Sequence, residues 1–247
     1  MAIKGPKNRQ RCNLLGLPVD VCRDVLGESI LLHQSGGGQI VTINAEMIMA
    51  AKTDKEFSNA INSADLIIPD GAGVAWALRR QGIKVLRTTG IELAKSLLKY
   101  AEQNQWKVAL VGSAPEVMIR LQENLLDEMP SLQIALATHG YQTSLFWNNL
   151  EQDLKRSSPD LVLVALGTPT QEIWSTRVRQ GLPGLWIGVG GSFDVWAGAK
   201  KRAPTWLVKN HGEWIYRLVK EPKRWRRMLS LPAFILKVLS EPQYKKY

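Results

Sequence analysis

In the stretch DLIIPDGAG, Asp70 stands after an apolar run and Pro69 and before Gly71-Ala72-Gly73. A carboxylate at the end of a buried strand can act as a general base and take a proton from an attacking hydroxyl. Asp is also a good N-cap for the helix expected from AGVAWALRR, and one residue can do both. Thr42 and Asn44 stand two apart, which puts them on one side of a strand. From there they could hydrogen-bond a sugar or the carboxylate of a base; the plainer role of Asn44 is to cap a helix beginning at Ala45. Arg87 closes IKVLR just before Thr88-Thr89-Gly90, within reach of a diphosphate or of an ordinary surface ion pair. Gln171, in GTPTQEIW, falls in the first turn after Pro169, where its amide either points into a cleft or is a tolerated helix position.

A second group lies in GGSFDVWAGAKKRAPTW. Gly190 and Gly191 allow close backbone approach to a ligand, Asp194 is a short acceptor beside them, and Arg202 leads into a basic tail. Gly112 closes another apolar run, VALVG. His139 and His211 are isolated, with no Ser or Cys nucleophile pattern nearby. Cys12 and Cys22 lack metal-ligand spacing, so neither a zinc site nor a disulfide framework is expected, and a reducing cytoplasm fits best.

These residues need elements to hold them. Apolar, β-rich runs alternate with Gly, Pro or Asp turns and helical patterns in QIVTINAEMIMAA, ADLIIPDGAGVAWALRR, KVALVGSAPEVMIRLQENL, PDLVLVALGTPTQEIWSTRV and LWIGVGGSFDVWAG. That alternation predicts an α/β fold, Rossmann-like, with a mainly parallel sheet covered by helices on both faces. In such sheets ligands sit at the carboxyl ends of the strands, where helix N-termini offer N–H groups to phosphates. Thr42 and Asn44, Asp70, Gly112, Gln171, and Gly190 to Asp194 fall at those ends. GxxxxGK[ST] is absent, and GVGGSFD departs from GxGxxG at Phe193, where the third Gly would stand, which argues against a nucleotide-dependent oxidoreductase. No Asp-x-Asp pair occurs, so a bound diphosphate would be met by Arg, Lys and helix ends, with no metal and no other cofactor expected.

The net charge of +10 is concentrated at one end. From Lys200 onward there are 13 Lys and Arg against 3 Asp and Glu, while the preceding residues carry 19 of each. We therefore expect a catalytic domain over 1–199 and a basic, Trp-rich helical appendage over 200–247. Trp214 and Trp225 mixed with Arg217, Arg224, Arg226 and Arg227 suit an anionic membrane surface, with rings at headgroup depth and cations on phosphates. A solvated charged face is the plain alternative. No nucleic-acid module is recognisable, and nucleic acid is not an expected partner. The N-terminus lacks the apolar run of an export signal, and MLSLPAFILKVL is too short to span a bilayer.

Taken together, VTINAEM, ADLIIPDGAGVAWALRR, VALVGSAPE, PDLVLVALGTPTQEIW and GVGGSFDVWAGAKKRAPTW…GEWIYRLVKEPKRWRR resemble the WecG/TagA/CpsF family of bacterial glycosyltransferases, in order from Val41 to Arg227. The resemblance implies an inverting, metal-independent transfer of N-acetylmannosamine or a related hexose. The donor would be a UDP-sugar and the acceptor a polyprenyl-diphosphate-linked sugar, at the inner face of the plasma membrane, in teichoic acid or exopolysaccharide synthesis. It also implies Asp70 as base, Thr42 and Asn44 as its site partners, Arg87 and Gln171 in the cleft, and tail arginines over the lipid diphosphate. His211-Gly212 before Glu213-Trp214, and HGYQ at His139 to Gln142, depart from the family's usual Gly-Leu and Asp-Gly-Tyr-Phe and leave the sugar open. A homo-oligomer hiding an apolar tail surface is compatible with this reading. The competing reading from another class is a non-catalytic nucleotide sensor that binds membrane or nucleic acid through its tail.

Overall fold

The computed structural model describes residues 9–85, 89–201, 203–204, 207, 216 and 229–241. Six strands form one parallel sheet: β3 (Gly38–Ile43), β4 (Leu66–Pro69), β5 (Lys107–Gly112), β6 (Gln133–Thr138), β7 (Leu161–Ala165) and β8 (Leu185–Gly188). Their spatial order is β4-β3-β8-β7-β5-β6. The inner strands read as continuous apolar runs because both faces are covered: every residue of β7 is buried, as is all of β5 after Lys107.

On one face Ile40, Ile68, Leu110, Leu163 and Ile187 meet α1 (Val25–Gln34), α5 (Gly90–Gln103), α6 (Pro115–Glu128) and α9 (Ser192–Trp196). On the other face Val41, Ile43 and Ile67 meet α2 (Ala45–Ala51), α3 (Lys55–Asn62) and α4 (Gly71–Arg80). Val111, Val164 and Trp186, on that same face, meet α7 (Ser144–Ser157) and α8 (Thr170–Val178). The α/β expectation holds. α10 (Ser230–Ser240), from the apolar segment near the C-terminus, packs Phe234 and Val238 into the α2–α4 cluster. Most of the basic stretch before it lies outside the described residues.

Two elements were not evident from the apolar runs. β6 is an edge strand with alternating exposure, so it carries no continuous apolar signal. β1 (Arg9–Leu14) and β2 (Leu17–Cys22) form an antiparallel hairpin around Leu15-Gly16, both at positive φ, as a two-residue hairpin turn requires. The hairpin docks along β4 through Asp20, whose carboxylate accepts the Ile67 N–H at 2.8 Å and pairs with Arg9 and Arg11 at 2.8 and 2.7 Å. The outer edge of the sheet is thereby covered.

Candidate active site

The register lines up the carboxyl ends of the strands. Ile43 pairs with Pro69, Ile40 with Ile187, Val164 with Gly188, and Gly112 with Ala165. Asp70, Asn44, Gly190, Gly167 and Ser113 therefore form a row along one end of the sheet. At about 4.8 Å per strand, Asp70 stands roughly 10 Å from the end of β8. Neighbouring strands β3 and β8 are followed by helices on opposite faces, α2 and α9, and β5 and β7 likewise by α6 and α8. Chain departure in opposite directions opens a crevice at those ends, the usual ligand position in this architecture.

Asp70 is half-buried at the N-cap position of α4, with extended backbone and its N–H donating to the Ile43 carbonyl at 2.8 Å. It makes no side-chain capping bond, so the capping role is positional only. Gly71, at φ +79, turns the chain beside it, and a Cβ there would lie 4.0 Å from the Asn44 Cβ. Asp70 and Asn44 are thus brought together. Asn44 does cap: its Oδ1 accepts the Met47 N–H at 3.0 Å. Thr42 turns instead toward α5, against Gly90. Beside it Thr89 is buried, and its Oγ1 has no hydrogen-bond partner among the described residues.

Gln171 is 5% exposed, and both ends of its amide are engaged: Oε1 accepts the Gly190 N–H at 3.1 Å and Nε2 donates to Glu172 Oε1 at 2.7 Å. Gly190 and Gly167 have positive φ, and a Cβ on either would meet nothing within 4 Å among the described residues, so both turns border space that those residues leave open. Gly112 is glycine for a different reason: a Cβ would lie 2.4 Å from the Ala165 carbonyl oxygen. Gly191 is the N-cap residue of α9, and Asp194 lies 3.5 Å from Lys200 Nζ while its backbone carbonyl accepts the Lys200 N–H. Arg87, Arg202, Trp214, Arg217, Arg224, Trp225, Arg226 and Arg227 lie outside the described residues.

Sequence reasoning passed over Glu172. It is buried, and that burial pushes its carboxyl up to about 7 against the hydrogen bonds from Gln171 and Thr168. The available signal was its place on the inward face of α8 with Ser175 and Val178. A single acidic residue in a first helical turn, however, ordinarily reads as a solvated partner of the helix dipole. Among the described residues no three His, Cys, Asp or Glu side chains gather to hold a metal ion, and no helix is long and apolar enough to cross a membrane.

A family model described as the glycosyl transferase WecG/TagA/CpsF family matches residues 12–246. The N-acetylglucosaminyldiphosphoundecaprenol N-acetyl-beta-D-mannosaminyltransferase of Bacillus subtilis (strain 168) is 36% identical over 221 residues, covering 89% of this chain and 86% of the relative. The protein of the same name from Staphylococcus aureus (strain MW2) is 39% identical over 201 residues, covering 81% of this chain and 78% of the relative.

Proposed function

This chain belongs to the glycosyl transferase WecG/TagA/CpsF family, and from that premise we propose that it transfers N-acetylmannosamine or a related hexose from a UDP-sugar to a polyprenyl-diphosphate-linked N-acetylglucosamine. The transfer is inverting and independent of a metal ion. The observation that carries this reading is Asp70, held at the end of β4 beside Asn44 and Gly71, on a row of strand ends that borders open space at Gly167 and Gly190.

Asp70 removes the proton from the acceptor hydroxyl as that oxygen forms a bond to the anomeric carbon. The bond from the anomeric carbon to UDP breaks on the opposite face, and the pair of electrons leaves with the diphosphate. Its charge is met by helix N-terminal N–H groups, among them that of α5, and by Arg87 and Arg202. Asn44, just after β3, orients the reacting groups, while Thr42 holds the start of α5 against the end of that strand. The acceptor's lipid stays in the bilayer, so the enzyme works at the inner face of the plasma membrane, with Arg217, Arg224, Arg226, Arg227, Trp214 and Trp225 on anionic headgroups or over the lipid diphosphate. α10 supports this placement, since it buries Phe234 and Val238 while exposing Ile235, Leu236 and Leu239.

The test is release of UDP from a panel of UDP-sugars, with and without lipid-linked N-acetylglucosamine, in wild type and Asp70→Asn. Acceptor-dependent release with one donor is expected. Loss of a general base should cut turnover about 100- to 10,000-fold in the variant, with UDP affinity by calorimetry unchanged. Undiminished turnover in Asp70→Asn would remove the base assignment.

A further inference from the structure

Glu172 follows Gln171 in the first turn of α8, and the mechanism above does not use it. Its side chain is 3% exposed. Oε1 accepts from Gln171 Nε2 at 2.7 Å and lies 3.5 Å from the Thr168 hydroxyl, while Oε2 is buried with no hydrogen-bond partner among the described residues. An apolar side chain would fill such a place without the cost of burying a carboxyl. Buried ionisable groups kept at a strand-end cleft point to a role in the site.

The geometry shows what the carboxyl does. Gln171 could present its amide either way round, but the Gly190 N–H can only donate and the nearer Glu172 oxygen accepts, so one orientation satisfies both. Gly188 makes room, since a Cβ there would stand 2.5 Å from Gln171 Nε2. The same turn of α8 is tied to β3: Gln39 Nε2 donates to the Glu172 carbonyl at 3.1 Å, and Thr176 Oγ1 donates to Gln39 Oε1 at 2.7 Å. The chain of contacts runs from a strand of the sheet, through Glu172 and Gln171, to the backbone amide of a turn whose outer side is open.

We propose that Glu172 is a positioning residue for the donor site: its carboxyl orients Gln171, and Gln171 holds the Gly190 amide, so the β8–α9 turn keeps its shape where the nucleotide diphosphate binds. The placement of the diphosphate rests on the function proposed above; the brace itself does not. A brace of this kind acts on ground-state binding of the donor more than on the chemical step.

The experiment compares full-length wild type, Glu172→Ala, Glu172→Gln and Gln171→Met by UDP calorimetry, by donor KM and kcat, and by amide hydrogen exchange across 185–196. Glu172→Ala should weaken UDP binding and raise donor KM about tenfold, the factor carried by roughly one hydrogen bond, with kcat changed less than KM and faster exchange in the turn. Glu172→Gln, whose side-chain carbonyl still accepts from Gln171, should recover most of both losses. A folded Glu172→Ala protein with wild-type exchange and wild-type UDP affinity overturns the proposal. Should that variant not fold, Gln171→Met decides: faster exchange at Gly190 supports the brace, and unchanged exchange overturns it. Wild type that binds no UDP, with exchange responding to the variants as expected, would sink the donor reading and leave the brace standing.

Discussion

Thr42 and Gly90 meet with no room for a side chain between them: a Cβ on Gly90 would stand 2.8 Å from Thr42 Oγ1 and 3.0 Å from its Cγ2. The contact presses the N-terminus of α5 onto the end of β3. It joins the strand end that leads to the candidate residue Asn44 to the start of a helix, where backbone N–H groups have no partner within the helix.

Gly90→Ala should therefore destabilise the protein by about 1–3 kcal/mol through overpacking and weaken UDP binding by moving α5 away from β3. Adding Thr42→Ala removes Oγ1 and Cγ2 but keeps the Thr42 Cβ, 3.1 Å from the added methyl, and should restore part of the lost stability. Thermal unfolding of the two single variants and the double variant checks this, and additive losses would count against a direct clash.

The buried Glu172 carboxyl makes stability depend on pH. Its folded-state value of about 7 lies above the ordinary 4.5, so between those values the native state holds more protons than the unfolded chain, and stability falls as pH rises. The contribution is complete below about 4.5 and is lost as pH climbs through about 7, an effect on the order of 3 kcal/mol. Glu172→Gln carries no such charge. Its stability relative to wild type should rise between pH 5 and pH 8, measured by urea unfolding at each pH.

Asp20 works in the opposite sense. Burial pushes its carboxyl up, but Arg11, Arg9 and the Ile67 N–H outweigh that and hold it below the ordinary range. Its stabilisation is present above pH 3.8 and is lost as pH falls through the lower folded-state value. Asp20→Ala leaves the buried Ile67 N–H without its acceptor and takes the carboxylate from two part-exposed guanidinium groups that keep the Asp65 carbonyl, and should cost about 1–3 kcal/mol. Chemical denaturation at neutral pH checks the size, and limited proteolysis within β1 and β2 should show the hairpin leaving the edge of β4.

Local patterns made part of this protein legible without any structure. Runs such as LVLVA, buried along their whole length, are readable because a strand covered on both faces needs every side chain apolar. Asn44 as a cap is readable because its partner, Met47, is three residues away. Asp70, Gly112 and Gly190 were found at strand ends because turn residues mark where each apolar run stops. The hairpin and β6 escaped, one because its docking depends on a buried Asp20 reaching Ile67 from 47 residues away, the other because an edge strand alternates. The contact between Gln171 and Gly190 is decided by tertiary structure alone. In the chain Gln171 neighbours Glu172 and stands nineteen residues from Gly190; only when β8 lies beside β7, with α8 across the same face, does its amide meet the turn it holds. Strand order, and with it burial of Glu172, is set by the packing of distant segments against each other, a long-range energy that no short window of sequence contains.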